Sequence, residues 1–278
     1  MGHTRIVYDR KGAGTPVVLL HGLGHRRQAW KPVMKRLKRH HEVIALDLPG
    51  FGKSAEPATD ERYDLHSLVD TVQRMCAELG VERPHVAGNS LGGAIALELG
   101  ARGAAASVTA LSPIGFNSAP TKAGFRILAR GARVAARIPE PVRQAAAGSP
   151  PARAAARRIL RGNHAAASAR HIRFDARKLA ADSPFVRLAP LAARYSFSAS
   201  SVPCPVTIAW GDRDRLLPPG GARRALGRIP HAHQVTLLGC GHIPMADNPR
   251  AVAAEIMRTC RAAALDRGQL AVGAQLAS

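Results

Sequence analysis

Aromatic and acidic side chains are scarce in this sequence. Aromatic residues make up 4% of its 278 residues, and 19 Asp and Glu stand against 40 Lys and Arg, for a formal net charge of +21. Such a cationic excess can attract nucleic acid, an anionic membrane or an acidic ligand. However, no segment interleaves basic with aromatic residues and no nucleic-acid-binding motif is present. We therefore predict no nucleic acid partner.

Paired cysteines and long apolar runs are also missing. The four cysteines form no CxxC pair and have no metal-ligand spacing, which predicts a reduced, cytoplasmic setting and no metal site. No run approaches the roughly 18 to 20 apolar residues of a membrane-spanning helix. The N-terminus, MGHTRIVYDRKGAG, has no apolar segment behind its charges and does not read as a secretory signal. No nucleotide loop or prosthetic-group motif is visible, so we expect no cofactor.

What the sequence does contain is a series of short apolar runs separated by helix-like segments. With 46% hydrophobic residues, a chain of this length predicts one globular domain, with room for a large insertion. Continuous apolar strands are typical of a parallel sheet covered on both faces. The repeated β-α-β order predicts a doubly wound α/β fold with its ligand site at the carboxyl ends of the strands. The runs are PVVLL (16–20), EVIALDL (42–48), PHVAG (84–88), SVTAL (107–111), PVTIAW (205–210) and HQVTLL (233–238).

Helical spacing is clearest between the second and third of these runs. Apolar residues recur at i, i+3, i+4 and i+7 from Leu65 to Leu79, and Gly80 stands where a C-terminal cap is expected.

Ser90 lies in the stretch VAGNSLGG, directly after the third run and before the helix-like AIALELGA. Gly88-Asn89-Ser90-Leu91-Gly92 matches G-x-S-x-G, in the strand-to-helix context that this motif requires. A sharp turn there forces the serine into a strained backbone conformation and leaves no room for side chains two residues away. The alternative is a small-residue turn without chemical meaning, and the strand and helix context favours a nucleophile.

A serine nucleophile needs a base, and the base needs an acid that orients it. In this fold the three residues follow in the order Ser, acid, His. His242 follows the last strand and is the candidate base. Asp212 and Asp214 both follow PVTIAW, and we favour Asp214 because the loop needs a few residues to curl back toward His242, while Asp212 suits a turn cap.

Together these segments resemble the α/β-hydrolase family, over residues 5 to about 262. The family implies a triad of Ser90, Asp214 and His242. It also implies an oxyanion hole made by the backbone N–H groups of Leu23 and Leu91. Gly22 and Asn89, beside those donors, are predicted to contact substrate. The motifs are VVLLHGLG (17–24), DLPGFGKS (47–54), VAGNSLGG (86–93), WGDRDRLLP (210–218) and CGHIPMADNP (240–249).

Residues 114–202 interrupt the β-α order, and the resemblance suggests a helical cap inserted there. We predict a core of residues 1–113 and 203–266, a cap of residues 114–202 and a C-terminal tail of residues 267–278. The cap carries 16 Lys and Arg against 3 Asp and Glu. Its arginines form a helical stripe beside an apolar stripe of Ile127, Val134 and Ile138. A solvated outer face is the simpler interpretation of the arginine stripe; the sharper hypothesis is attraction of an anionic substrate or a phosphate-bearing carrier. The stripe consists of Arg126, Arg130, Arg133 and Arg137.

The functional prediction is hydrolysis of a small or medium carboxylic ester through an acyl-enzyme intermediate. Family members with an Asp nucleophile, the haloalkane dehalogenases and epoxide hydrolases, are disfavoured by Ser90. Carbon-carbon bond hydrolases of the meta-cleavage type share the G-N-S-x-G elbow, although HGLGHRRQAW and the residues after His242 depart from their pattern. A thioesterase uses the same chemistry, and a non-hydrolytic ligand receptor can keep the same fold. The sequence does not indicate an oligomeric state.

Overall fold

A seven-stranded, mostly parallel sheet forms the centre of the protein. The structure is a computed structural model that describes residues 5–57, 62–160 and 183–276. Its strands are β1 (Tyr8–Lys11), β2 (Pro16–Leu20), β3 (Glu42–Leu46), β4 (His85–Asn89), β5 (Ser107–Leu111), β6 (Val206–Gly211) and β7 (His233–Leu237). The strand order is β1-β3-β2-β4-β5-β6-β7, in which only β1 pairs antiparallel. The predicted doubly wound α/β fold is confirmed.

The six apolar runs predicted as strands coincide with β2 to β7. The first strand, β1, is not predicted, because its sequence YDRK has no apolar residue except Tyr8. It lies at the edge of the sheet and pairs only with β3, where charged side chains are tolerated and discourage further pairing.

Helices cover both faces of the sheet. They are α1 (Lys31–Leu37), α2 (Leu65–Glu78), α3 (Leu91–Ala101), α4 (Ala119–Ala135), α5 (Glu140–Gly148), α6 (Pro150–Leu160), α7 (Pro184–Arg194), α8 (Gly220–Arg228), α9 (Pro244–Asp247) and α10 (Pro249–Leu276). The predicted helix after residue 64 is α2, and Gly80 after it has a φ of +68°, as a helix-ending glycine requires. Within the described residues, no helix is both long and apolar enough to cross a membrane.

Alternating strand residues build two separate cores, one on each face of the sheet. Val18 and Leu20 of β2 point into the core that includes α2 and α3. Val17 and Leu19 point to the opposite core, which includes α1 and α10. This period of two is what a strand buried on both sides produces, and it explains why β2 to β6 are apolar almost throughout.

Helices α4 to α7 lie between β5 and β6, in the stretch predicted as a cap. Residues 161–182 of that predicted cap lie outside the described residues. Helix α4 packs against α7, and α7 begins beside two loops of the sheet domain. A Cβ atom at Gly24 would lie 3.1 Å from the Phe185 ring, and one at Gly50 would overlap Pro184. The start of α7 therefore covers the loops that follow β2 and β3. The predicted domain boundaries stay a prediction, and α10 continues as helix to Leu276 within the segment predicted as a tail.

Candidate active site

The turn between β4 and α3 places Ser90 in an unusual backbone conformation. Ser90 has a φ of +54°, a left-handed value that non-glycine residues rarely adopt. The turn closes tightly, since a Cβ atom at Gly88 would lie 2.6 Å from the Gly93 nitrogen and overlap the Gly92 carbonyl. A Cβ at Gly92 would overlap the Leu20 carbonyl. Neither Gly88 nor Gly92 therefore tolerates a side chain. The predicted elbow is thus present, with Ser90 at the N-terminus of α3, where free N–H groups favour negative charge.

The loop after β2 approaches this serine closely. A Cβ atom at Gly22 would lie 3.2 Å from the Ser90 Cβ atom. Strand β2 is also the point where the sheet order reverses, since β3 lies on one side of it and β4 on the other. Ligands of open α/β sheets bind at such a switch point. Leu23 is half-buried in this loop, and Leu91 is the first residue of α3.

His21 anchors the loop from inside the protein. Its ring is fully buried, Nε2 accepts a hydrogen bond from the Leu48 N–H at 3.0 Å, and Nδ1 lies 2.8 Å from the Gly22 carbonyl oxygen. An acceptor at Nε2 and a donor at Nδ1 describe one neutral tautomer. Burial lowers the pKa of His21 to about 4, although the hydrogen bond to Gly22 and the charge of Asp47 oppose the shift. The sequence did not indicate this role, because it depends on the Leu48 N–H, which lies 27 residues away.

Acidification is expected to destabilise the protein through His21. The unfolded chain protonates this ring below its ordinary pKa of 6.5, whereas the folded protein excludes the proton down to about pH 4. Stability is therefore lost as the pH falls through this window, by at most about 3 kcal/mol. The measurement is the free energy of unfolding by denaturant titration across the window. His21→Gln should flatten this dependence, and the matched change at exposed His233 should leave it intact; equal slopes in all three proteins would refute the assignment.

Asp214 and His242 form a buried hydrogen-bonded pair. His242 Nδ1 lies 2.8 Å from Asp214 Oδ2, and the side chains are 6% and 0% exposed. The other carboxylate oxygen accepts hydrogen bonds from the backbone N–H groups of Leu216, at 3.0 Å, and Leu217, at 2.8 Å. Asp212, the alternative acid, is exposed. The pair thus leaves Nε2 of His242 available as a base, with its ring held by a carboxylate that is itself fixed by the backbone.

A close approach of two loops brings this pair together. A Cβ atom at Gly211, the last residue of β6, would overlap the carbonyl oxygen of Cys240. The Arg213 N–H donates to that same oxygen at 2.9 Å. A glycine is therefore required where the loop before His242 crosses the end of β6. Gly211 is the first residue of the segment Gly211-Asp212-Arg213-Asp214, and its role is steric.

Ser90 lies on the same rim of the sheet as the pair. It follows β4, while Asp214 follows β6 and His242 follows β7. Its side chain is 6% exposed. Within the described ranges, no hydrogen bond joins Ser90 Oγ to His242 Nε2. Catalytic hydrogen bonds of unliganded enzymes are often long and tighten only when substrate binds.

Asn89 is hydrogen-bonded to the backbone of His242. It is 1% exposed, and its Nδ2 donates to the carbonyl oxygens of His242, at 2.9 Å, and Leu111, at 3.2 Å. Both amide hydrogens are thus used inside the protein, because Asn89 ends β4 with its Nδ2 directed toward β5 and the loop after β7. The predicted substrate contact of this residue stays a prediction. These contacts indicate a positioning residue, which holds the His242 backbone against the elbow.

Truncation of Asn89 should therefore act on turnover more than on binding. Asn89→Ala removes both donors and leaves the buried His242 carbonyl unpaired, while the Leu111 carbonyl keeps the Ser90 N–H, so we expect kcat to fall by about tenfold or more with little change in KM. The matched control is Thr259→Val, which removes the buried contact between the Thr207 and Thr259 hydroxyls at the other end of β6. Both variants should lower Tm, and only Asn89→Ala should lower kcat. A KM increase alone in Asn89→Ala would instead support the original substrate contact.

Comparison with known proteins agrees with this fold. A profile of the alpha/beta hydrolase family matches residues 17–255. The chain belongs to the alpha/beta hydrolase family. A solved structure of a bacterial membrane phospholipase A superposes with a TM-score of 0.77 and 26% identity, covering 93% of this chain and 83% of that one.

Curated relatives match over shorter segments. A pimeloyl-(acyl-carrier protein) methyl ester esterase of Pseudoalteromonas atlantica is 38% identical over 94 residues, 34% of this chain and 34% of the relative. A 2-hydroxy-6-oxo-2,4-heptadienoate hydrolase of Pseudomonas putida is 40% identical over 94 residues, 33% of this chain and 34% of the relative. The chain spans about a quarter to a third of the length of the curated relatives it matches.

Proposed function

We propose that the protein is a serine hydrolase that cleaves a carboxylic ester of a small or medium acyl group. The observation that carries the proposal is the buried Asp214–His242 pair, on the same sheet rim as the strained Ser90. Buried acid-base pairs beside a nucleophile elbow are the arrangement that acyl transfer requires. The methyl ester esterase among the relatives supports an ester as the substrate class.

The proposed reaction has two halves. His242 Nε2 takes the proton of Ser90 Oγ as the oxygen attacks the carbonyl carbon, and the resulting oxyanion accepts hydrogen bonds from the Leu23 and Leu91 N–H groups. The intermediate then expels the alcohol, which receives the proton from His242, and the acyl group stays on Ser90. Water, deprotonated by His242, repeats the attack and releases the acid. Each oxyanion donor contributes roughly 3 to 4 kcal/mol to transition-state stabilisation.

Carbon-carbon bond hydrolysis is the second candidate function. Asn89 in the G-N-S-x-G elbow and the 40% identical heptadienoate hydrolase both favour it. The same serine can attack a ketone with the help of the same base and oxyanion donors. The bond that then breaks is a carbon-carbon bond. The buried contacts of Asn89 argue for the ester instead, because they use this side chain for the framework and not for a polar substrate group.

The test is a substrate panel that varies the bond and the charge separately. It contains p-nitrophenyl esters of increasing acyl length, a matched acyl thioester, an anionic ester and 2-hydroxy-6-oxo-2,4-heptadienoate. We expect the highest kcat/KM for a short or medium ester. A higher value for the thioester or for the dienoate would replace the proposal by that activity. If no member of the panel is hydrolysed while one of them still binds, a receptor on this fold replaces the hydrolase.

A further inference from the structure

Helix α4 leaves large apolar side chains exposed on the face opposite its buried one. Phe125 and Ala129 pack inward, and α4 contacts α7 through this side. On the other side, Ile127 is 70% exposed and Val134 is 62% exposed. Leu128 on α4, Ile138 after its end and Val142 on α5 are also exposed, and we name this group the outer cap face, defined as Ile127, Leu128, Val134, Ile138 and Val142. Sequence periodicity predicted the apolar stripe, and the structure turns it toward solvent.

Exposed arginines line one edge of the outer cap face. At 100° per residue, Ile127 and Val134 of α4 share one direction, and Arg126, Arg130 and Arg133 lie about a quarter-turn to one side of it. These arginines and Arg137, which follows the helix, are all exposed. From residue 114 to residue 139 the sequence has no Asp or Glu, and Glu140 is the first acid after α4. The α4 part of the surface is therefore apolar at its centre and cationic along its border.

We propose that the outer cap face docks on an anionic lipid surface. An amphipathic helix binds the plane of a membrane when its apolar side chains enter the acyl boundary and its basic side chains meet anionic headgroups. Arginine suits the border, because its stem packs on apolar surface while its guanidinium stays among headgroups. Contiguous exposed apolar surface with a polar rim marks an interaction site in soluble domains.

Charge and composition argue against two other occupants. A second copy of the chain would bring its own arginine stripe against this one, and like charges oppose that contact. A nucleic acid would pair with the arginines but offers nothing to an aliphatic centre, and the face has no aromatic side chain for base stacking. An anionic lipid surface can bind both the aliphatic centre and the arginines.

Docking through α4 would place the candidate active site one helix away from the lipid. The inner side of α4 rests on α7, and α7 begins at Pro184 and Phe185 beside the loops that follow β2 and β3. The inference does not depend on the proposed reaction, since binding is measured without turnover. The inference adds that the protein would bind an acyl substrate at a lipid surface.

The experiment is co-sedimentation of the full chain with vesicles. One set is phosphatidylcholine alone, and in the other set phosphatidylglycerol replaces part of it. We expect binding to the second set only, weakening as salt is raised. Arg126→Gln with Arg133→Gln should lower the partition coefficient about 25-fold, because each basic residue near an anionic surface contributes about fivefold. Ile127→Ser with Val134→Ser should lower it more than about tenfold.

Matched controls carry the same changes elsewhere. Lys35→Gln with Arg39→Gln removes two exposed charges in and after α1, and Leu238→Ser with Leu265→Ser removes two exposed apolar side chains. Both controls should bind within about twofold of the wild type, since their sites lie outside the outer cap face. Circular dichroism and Tm verify that all four variants are folded.

Several results would overturn the proposal. Equal binding to both vesicle sets, or equal losses in the controls, would show that the outer cap face is not the docking surface. Duplex DNA bound more tightly than the vesicles, with Ile127→Ser and Val134→Ser unaffected, would assign the arginines to nucleic acid. A dimer in light scattering that the same two serine substitutions dissociate would assign the face to a second copy.

Discussion

Replacing Ser90 by alanine is expected to lower kcat for a short p-nitrophenyl ester by about 10³-fold or more. The substitution removes the oxygen that forms the acyl-enzyme and leaves the elbow in place. The residual rate would come from the oxyanion donors and substrate binding alone. Because these remain, the dissociation constant of a non-hydrolysable analogue should change little. The measurements are kcat with the ester and the binding of the analogue.

The control for this variant is a second buried serine. Ser107 is 2% exposed at the start of β5, and its hydroxyl contacts His85 Nδ1 at 2.8 Å. It lies at the amino ends of the strands, whereas Ser90 lies at their carboxyl ends. Ser107→Ala should keep kcat within about twofold. A fluorophosphonate should label wild type on Ser90 and fail to label Ser90→Ala. Activity of Ser90→Ala within tenfold of wild type would end the nucleophile assignment.

Most of the sheet could be predicted because β2 to β6 are buried on both faces. Such strands need continuous apolar runs, and all five have one. β7 is largely exposed at the edge of the sheet, and the run HQVTLL still predicted it. β1 could not be predicted, since it is short, charged and paired only at an edge. The position of Ser90 was also predictable, because the glycines around it are required by a local turn.

Contacts between distant segments were less accessible from the sequence. The choice between Asp212 and Asp214 rested on loop reach, and the structure joins His242 to Asp214. The hydrogen bond from Asn89 to the carbonyl of His242 joins residues 153 positions apart, and no local sequence pattern predicts it. Helical periodicity predicted the stripes of α4, but not that both would be exposed, because the side of α4 that packs inward carries Phe125 and Ala129. Periodicity fixes the angle between two faces, and tertiary contacts decide whether either of them is buried.

The orientation of His242 depends on a charge at residue 214, and Asp214→Asn tests it directly. An asparagine keeps the size of the side chain but brings one NH₂ group to a site where every neighbour is a donor. If that group faces His242, it can donate to Nδ1, and the imidazole then carries its proton on Nε2, where it cannot accept one from Ser90. If it faces the other way, it meets the N–H groups of Leu216 and Leu217, which then lack an acceptor.

The second orientation leaves two backbone N–H groups without an acceptor and is therefore disfavoured, while the first removes the base, so Asp214→Asn should lower kcat by about 10³- to 10⁴-fold with a small change in KM. The control is Asp212→Asn, two residues away, because Asp212 is exposed and carries the same charge. It should keep kcat within about twofold, which separates the loss of one specific contact from the loss of a negative charge near the site. The assay is steady-state hydrolysis of the ester that the panel selects, with Tm measured for both variants. A comparable loss in Asp212→Asn would mean that the local field, and not the contact with Asp214, sustains the base.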